Sequence, residues 1–203
     1  LTDIQEPNTQ DLLGREEIEP NLDLMKKNIF NKVVLISGAG GSIGSELGRQ
    51  IIKLIPKKLI LFENNEFALY KINTELNELK KKNSKLKNIE LISLLGSIND
   101  KGLVDEKISY FKPDIIFHSA AYKHVSLVEQ NVIEGIKNNL FGTINILQSS
   151  ISNKVSNFVF ISTDKAVNPK NIMGATKRLA EMYIQALNSI DNHNSKINLT
   201  IVR

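Results

Sequence analysis

The residues best equipped for chemistry lie between positions 162 and 177. There Ser162-Thr163-Asp164-Lys165-Ala166-Val167-Asn168-Pro169 is followed by Asn171-Ile172-Met173-Gly174-Ala175-Thr176-Lys177. An acid and an amine on adjacent residues, Asp164 and Lys165, suit proton transfers at two neighbouring carbons of one substrate. A surface ion pair would account for the same dipeptide without any chemistry. Met173 and Lys177 stand one helical turn apart, so they share a helix face near Thr163.

A second group of residues points to phosphate. Gly38-Ala39-Gly40-Gly41-Ser42-Ile43-Gly44 follows the apolar run Lys32-Val33-Val34-Leu35-Ile36-Ser37 and opens a helical pattern from Ser42 to Leu54. Lacking side chains, Gly38 permits a sharp turn, Gly41 lets a pyrophosphate approach the backbone, and Gly44 lets helix and strand pack closely. Ser42 and Ile43 begin the helix, whose free N–H groups and positive dipole end attract phosphate. Such a strand, turn and helix takes a dinucleotide, a bare structural turn being the alternative. An acidic residue is then expected about 20 positions on, at the end of the next strand, to hold the adenosine ribose hydroxyls. Glu63 stands there, and its charge would repel a 2′-phosphate, which favours NAD over NADP. A merely solvated carboxylate beside Asn64, Asn65 and Glu66 is the other reading of Glu63.

These residues need a scaffold, and the pattern supplies one. Near-continuous apolar runs at residues 32–37, 59–62, 90–95, 114–118, 157–162 and 198–202 read as buried strands. Helical patterns run from Ser42 to Leu54, along Leu69, Ile72, Leu76 and Leu79, near Val132 to Ser150, and near Gly174 to Leu187. Alternation of this kind implies an α/β fold, a doubly wound parallel sheet of six or seven strands covered on both faces. Residues 1–30 are acidic and weakly periodic with Pro7 and Pro20 as breakers, so they read as an N-terminal extension or linker. Asp11-Leu12-Leu13-Gly14-Arg15 is its one short apolar element, expected to dock on the domain formed by residues 31–203. The chain opens at Leu1 and stops just after a strand-like run, so it reads as a piece of a longer protein cut before a substrate-binding region.

Composition narrows the function classes. With no cysteine, neither a disulfide nor a thiolate site is available, which agrees with a reducing cytoplasm. The three histidines, His118, His124 and His193, show no metal spacing, so no metal is expected. The net charge of +4 comes largely from the lysines of residues 80–87, which read as the solvated end of an amphipathic helix rather than a nucleic-acid site. No apolar run approaches the roughly 18 residues of a membrane span.

The glycine spacing is the one found in short-chain dehydrogenases. That superfamily also places a serine or threonine at the end of this strand and Tyr-x-x-x-Lys on the next helix. Thr163 and Lys177 match, while Met173 takes the tyrosine's place. Gly38 to Gly44, His118-Ser119-Ala120-Ala121-Tyr122-Lys123-His124-Val125, Asn138-Asn139-Leu140-Phe141-Gly142-Thr143, Thr163-Asp164-Lys165-Ala166 and Asn171 to Lys177 together resemble the UDP-N-acetylglucosamine 4,6-dehydratases of polysaccharide biosynthesis. The match runs in order from about Asp11 to Arg203. Methionine at the tyrosine position, with the lead-in at residues 11–15, resembles the long, membrane-anchored branch, which is associated with retention at C5.

The resemblance implies a Rossmann domain with NAD as cofactor and a UDP-sugar as substrate. It adds Ala120 and Ala121 to the cofactor contacts, puts Lys177 on the nicotinamide ribose, and places Lys123 and His124 in a loop over nicotinamide and substrate. His118 becomes a packing residue, Asn139 either bends a helix or supports the site, and Ser97 replaces an adenine-contacting aspartate. In the implied reaction, hydride passes from sugar C4 to NAD, and the ketone acidifies C5. Lys165 removes the C5 proton, Asp164 protonates the departing C6 hydroxyl, and the hydride returns at C6. Asp164, directly or through Thr163 or a water, is the first candidate for the C4 hydroxyl proton. A nucleotide-sugar epimerase or reductase, or a non-catalytic NAD-binding module, stays open at this point. The implied location is the cytoplasm, or the cytoplasmic face of the inner membrane through an anchor outside this chain; a homo-oligomer is left open. On its own, the chain is expected to bind NAD weakly and turn over little.

Overall fold

The computed structural model describes residues 21–190 and 197–203. The expected docking of residues 11–15, and anything concerning His193, lies outside the described residues.

Strands β1 (Val33–Ser37), β2 (Lys58–Glu63), β3 (Glu90–Leu95), β4 (Ile115–His118), β5 (Asn157–Ile161) and β6 (Asn198–Val202) form one six-stranded parallel sheet in the order β3-β2-β1-β4-β5-β6. Each coincides within a residue or so with an apolar run. Successive residues of β1 serve opposite faces: Val34 and Ile36 pack with Ile51 and Ile52 of α2 (Ser42–Lys53) and Ile72 and Leu76 of α3 (Glu66–Lys82). Leu35 joins Ile116, Phe158 and Phe160 on the other face, with residues of α4 (Lys101–Phe111), α7 (Gly142–Ser152) and α8 (Ile172–Ile190). Burial on both faces is why inner strands such as β1 and β2 read as continuous apolar runs, whereas the edge strands β3 and β6 are partly exposed.

Some helices depart from the sequence reading. Residues 22–29, read as extension, form α1 (Leu22–Ile29), capped by the Asn21 side chain and seated through Ile29, which is 5% exposed. Helix α4 was not expected, because Lys107 interrupts the face on which Val104 and Ile108 are buried; Asp100 starts it by accepting the Leu103 N–H at 2.9 Å. The lysine-rich end of α3 projects beyond its buried residues Leu69, Ile72 and Leu76, as a solvated helix end does.

Strand order reverses at β1. Successive strands run outward to β3 on one side and from β4 to β6 on the other, which opens a crevice at the carboxyl ends of β1 and β4. Ser37 and His118 end those strands side by side. After β4 come α5 (Val125–Gln130) and α6 (Val132–Ile136), which pack on α8, the latter joined to α7 by a wide π-type turn, Lys137–Phe141.

Candidate active site

The glycine turn is built from approaches that larger residues could not make. Gly38 has φ of +69°, and a Cβ there would lie 2.6 Å from the Ala120 backbone. A Cβ on Gly44 would overlap the Gly38 carbonyl oxygen. Gly41 is different: its only near neighbour would be the Gly38 oxygen at 3.3 Å, so the space above it is open. Gly41 also caps α2 without any side-chain bond, leaving the first-turn N–H groups of Ser42, Ile43 and Gly44 free for an anion. Lys123 brings a cation to the same point, donating to Ser42 Oγ at 2.6 Å.

Glu63 faces this turn. Its carboxylate accepts N–H groups from Gly40 at 2.9 Å, Asn64 at 2.9 Å and Asn65 at 3.0 Å. A carboxylate has about four acceptor positions, so a ribose hydroxyl can still be accepted without displacing the backbone. Gly40 was passed over in the sequence reading, although it stands in the motif. It gives Glu63 a donor and packs so closely on α3 that a Cβ would lie 2.5 Å from Ala68 Cβ.

Gly38, Gly41, Glu63, Ala120 and Ala121 line one lobe of a cleft, about 290 Å³ in volume and closed at its far end by Gly96 and Ile98. Ser97 is turned aside, accepting the Asn99 N–H. A second lobe of about 270 Å³ is lined by Ile43, Lys123, Thr163, Lys165, Met173 and Lys177, and shares Ala121 and Tyr122 with the first. Two lobes meeting at a free helix N-terminus fit a ligand with two nucleoside halves and a central pyrophosphate, as NAD has. Among the described residues, no group of three or more His, Asp or Glu side chains is arranged to hold a metal ion, and no helix is long and apolar enough to cross a membrane.

The reactive segment begins where β5 ends. Asp164–Ala166 makes a single 3₁₀ turn after Thr163. The Thr163 hydroxyl donates to Asp164 Oδ1 at 2.9 Å; the same oxygen accepts Lys165 N–H at 2.9 Å and lies 3.3 Å from Lys165 Nζ. The Thr163 hydroxyl, then Lys165, hold the Asp164 carboxyl below its ordinary range. Lys165 lines the second lobe, whereas the Asp164 side chain, 85% exposed, faces the open side of the segment. His124 lies at the start of α5 and lines a neighbouring cleft with Leu127, Val128 and Glu134, apart from Lys177.

Met173 is 4% exposed and contributes no titratable group to the lobe. Lys177 is buried one turn later, donating to the Ile161 carbonyl at 2.9 Å with its Nζ 4.4 Å from the Phe160 ring centre. Burial pushes its pKa down from 10.5 to about 8, while the Glu181 carboxylate pulls the other way. Between about pH 8 and pH 10.5 the unfolded chain holds a proton that folded Lys177 has released, so this group's contribution to stability rises with pH. Unfolding measured at about pH 7.5 and about pH 10 should show the wild type gaining on the order of 2 to 3 kcal/mol relative to Lys177→Met. Equal responses of the two proteins would place the ammonium in water.

Three further residues support the site: His118, read above as packing, Asn139, read as bending a helix or supporting the site, and Glu181, which was not read from sequence. His118 is fully buried and neutral, held there by desolvation and then by Lys177; Ser37 Oγ lies 2.6 Å from its Nδ1 and Thr143 Oγ1 2.9 Å from its Nε2. Asn139, in the π-type turn, accepts the Tyr122 N–H at 2.8 Å and donates to the Tyr122 carbonyl at 2.9 Å, pinning the loop that carries Lys123. It also reaches Thr176 Oγ1 at 3.1 Å, so it supports the site from both sides. Glu181 is buried on α8, and its pKa is held down to about 2, chiefly by Arg203. No motif pointed to it; its shortest bonds are to Ser162 and Arg203, distant in sequence.

Strand order, the glycine turn and the placement of Thr163 and Lys177 around one cleft define a domain of the extended short-chain dehydrogenase type. Within that class, the chain belongs to the polysaccharide biosynthesis protein family, which it matches over residues 34–203. It is 43% identical over its whole length to the capsular polysaccharide biosynthesis protein CapD of Staphylococcus aureus, covering 33% of that protein. It is 30% identical to an inverting UDP-N-acetylglucosamine 4,6-dehydratase of Campylobacter jejuni, over 85% of this chain and 49% of the relative. The X-ray structure of Pen from Bacillus thuringiensis superposes with a TM-score of 0.76 at 32% identity, over 86% of this chain and 52% of that one. The chain thus spans a third to a half of the length of these relatives.

Proposed function

We propose that the longer protein containing this chain converts a UDP-N-acetylhexosamine, UDP-N-acetylglucosamine first among them, to its 4-keto-6-deoxy product for surface polysaccharide synthesis. The observation that carries this reading is the Asp164–Lys165 pair, in which Lys165 lines the lobe that holds Lys177 and Asp164 is bonded to it from outside, with methionine where a tyrosine would act. An oxidation at C4 alone needs one proton acceptor; loss of water across C5 and C6 needs an acid and a base on adjacent carbons.

NAD, when bound, supplies a reversible hydride acceptor for C4 and C6. Glu63 would hold its adenosine ribose, the N-terminus of α2 its pyrophosphate, and Lys177 its nicotinamide ribose. Asp164 starts as a carboxylate, so it is ready to accept the C4 hydroxyl proton, directly or through Thr163. Protonated Asp164 then no longer pairs with Lys165, and Lys165, as the neutral amine with its own proton passed to water, takes the proton from C5. Asp164 passes its proton to the departing C6 hydroxyl, releasing water. Lys165 finally returns a proton to C5, and return by the residue that removed it favours retention there. The activity is placed in the cytoplasm, any membrane attachment being supplied by the longer protein.

A second reading, a nucleotide-sugar epimerase, is favoured by likeness to UDP-glucose 4-epimerases, that of Rickettsia canadensis being 33% identical over 74% of this chain. Mass spectrometry after incubating the full-length protein with NAD and UDP-N-acetylglucosamine separates the readings. The expected product is lighter by one water and carries a ketone. An isomer of unchanged mass supports the epimerase, and unaltered substrate supports a binding module.

A further inference from the structure

We propose that Glu181 is a positioning residue: from beneath the site its carboxylate fixes Ser162, and thereby sets Thr163, Asp164 and Lys165 against Lys177. The kinetic consequence rests on the dehydratase reading; the structural one does not.

The Glu181 side chain is fully buried, yet it is not idle. It accepts Ser162 Oγ at 2.7 Å, Arg203 Nε at 2.8 Å and Nη2 at 2.7 Å, and Arg178 Nη1 at 3.2 Å. Both arginine side chains are 40% exposed and could be satisfied by water, so neither of them requires a carboxylate inside the fold. Ser162 is what the charge reaches inward for. Its N–H already donates to Val202 of β6 at 2.7 Å, so strand and helix clamp the same residue from two sides. One turn earlier on α8, Lys177 grips the Ile161 carbonyl. The helix thus holds two consecutive residues at the end of β5, and the reactive triplet begins at the next position. A shift of about 1 Å at a reacting group can cost on the order of a hundredfold in rate. Ser162 lines the lobe that holds Lys177 and takes no part in the lobe of Glu63, so fixing it bears on turnover more than on the hold on the adenosine half.

The test uses the full-length protein with Glu181→Gln, Ser162→Ala and the double variant; Ser162→Ala leaves the buried ion pair intact and so guards against simple misfolding. Expected are a loss of kcat of about tenfold or more in Glu181→Gln and about threefold or more in Ser162→Ala, with KM for the UDP-sugar within about threefold of wild type. The double variant should be no slower than Glu181→Gln, because both act through one bond. Multiplying losses, or an unchanged kcat in Ser162→Ala, overturn the proposal. If the wild type makes no keto-deoxy product, the dehydratase reading fails by itself and amide exchange decides. Lys165 and Ala166 amides should then exchange about tenfold faster in both variants while those of α2 are unaltered; unchanged exchange overturns the positioning role.

Discussion

Asp164→Asn in the full-length protein is expected to lower formation of the 4-keto-6-deoxy sugar by about a thousandfold or more, at the upper end of what one acid–base group contributes. Asparagine can keep the hydrogen bonds that Oδ1 accepts from Thr163 and the Lys165 N–H, so the 3₁₀ turn should survive. What it cannot do is take a proton at C4 and release one at C6. Asp164 does not line the lobe that would receive the adenosine half, so NAD affinity should stay within about twofold. Product assays and an NAD titration on the same preparation check both halves of this expectation. Wild-type turnover would remove Asp164 from the mechanism, and loss of NAD binding would show that its role is structural.

The second large effect separates two glycines of one motif. Gly44→Ala should destabilise the domain by about 3 kcal/mol, because the new methyl meets backbone at Gly38 and Ala39 that has no rotamer to change. Gly41→Ala should lower the melting temperature far less: its φ of −69° and ψ of 168° suit alanine, and its Cβ would press only on the Gly38 oxygen, at 3.3 Å, with open space otherwise. That open space is where pyrophosphate would lie, so Gly41→Ala should weaken NAD binding by roughly tenfold or more, about 1.4 kcal/mol for each factor of ten. Thermal melts and NAD titrations of both variants are sufficient. Equal stability loss at the two positions would mean that the motif is only a tight turn.

Much of the fold was legible because both faces of the sheet are covered. Strands such as Leu59-Ile60-Leu61-Phe62 must then be apolar at every position, a pattern that survives in one sequence without any alignment. Helix α4 escaped notice because Lys107 interrupts the face on which Val104 and Ile108 are buried and Leu103 and Phe111 partly so. Helix α1 lies in the stretch read as extension, although its Ile29 joins the core. At the site, Gly38, Gly41, Gly44 and Glu63 were readable because a tight turn and a strand end constrain residue type locally. The pairing of Thr163, Asp164 and Lys165 was readable because the three are consecutive.

Sequence by itself therefore determined the class of domain, the dinucleotide turn, the acidic residue facing it and the residues able to move protons. Only the tertiary structure decided how these act. It spent three acceptor positions of Glu63 on backbone N–H groups, turned Asp164 outward while Lys165 lines the lobe, and put His124 in another cleft. It also gathered Ser162 and Arg203 around the buried Glu181 carboxylate. Local constraints on backbone shape and burial are written at consecutive positions. Contacts among residues 162, 181 and 203 depend on strand pairing and helix packing, which no short stretch of sequence encodes.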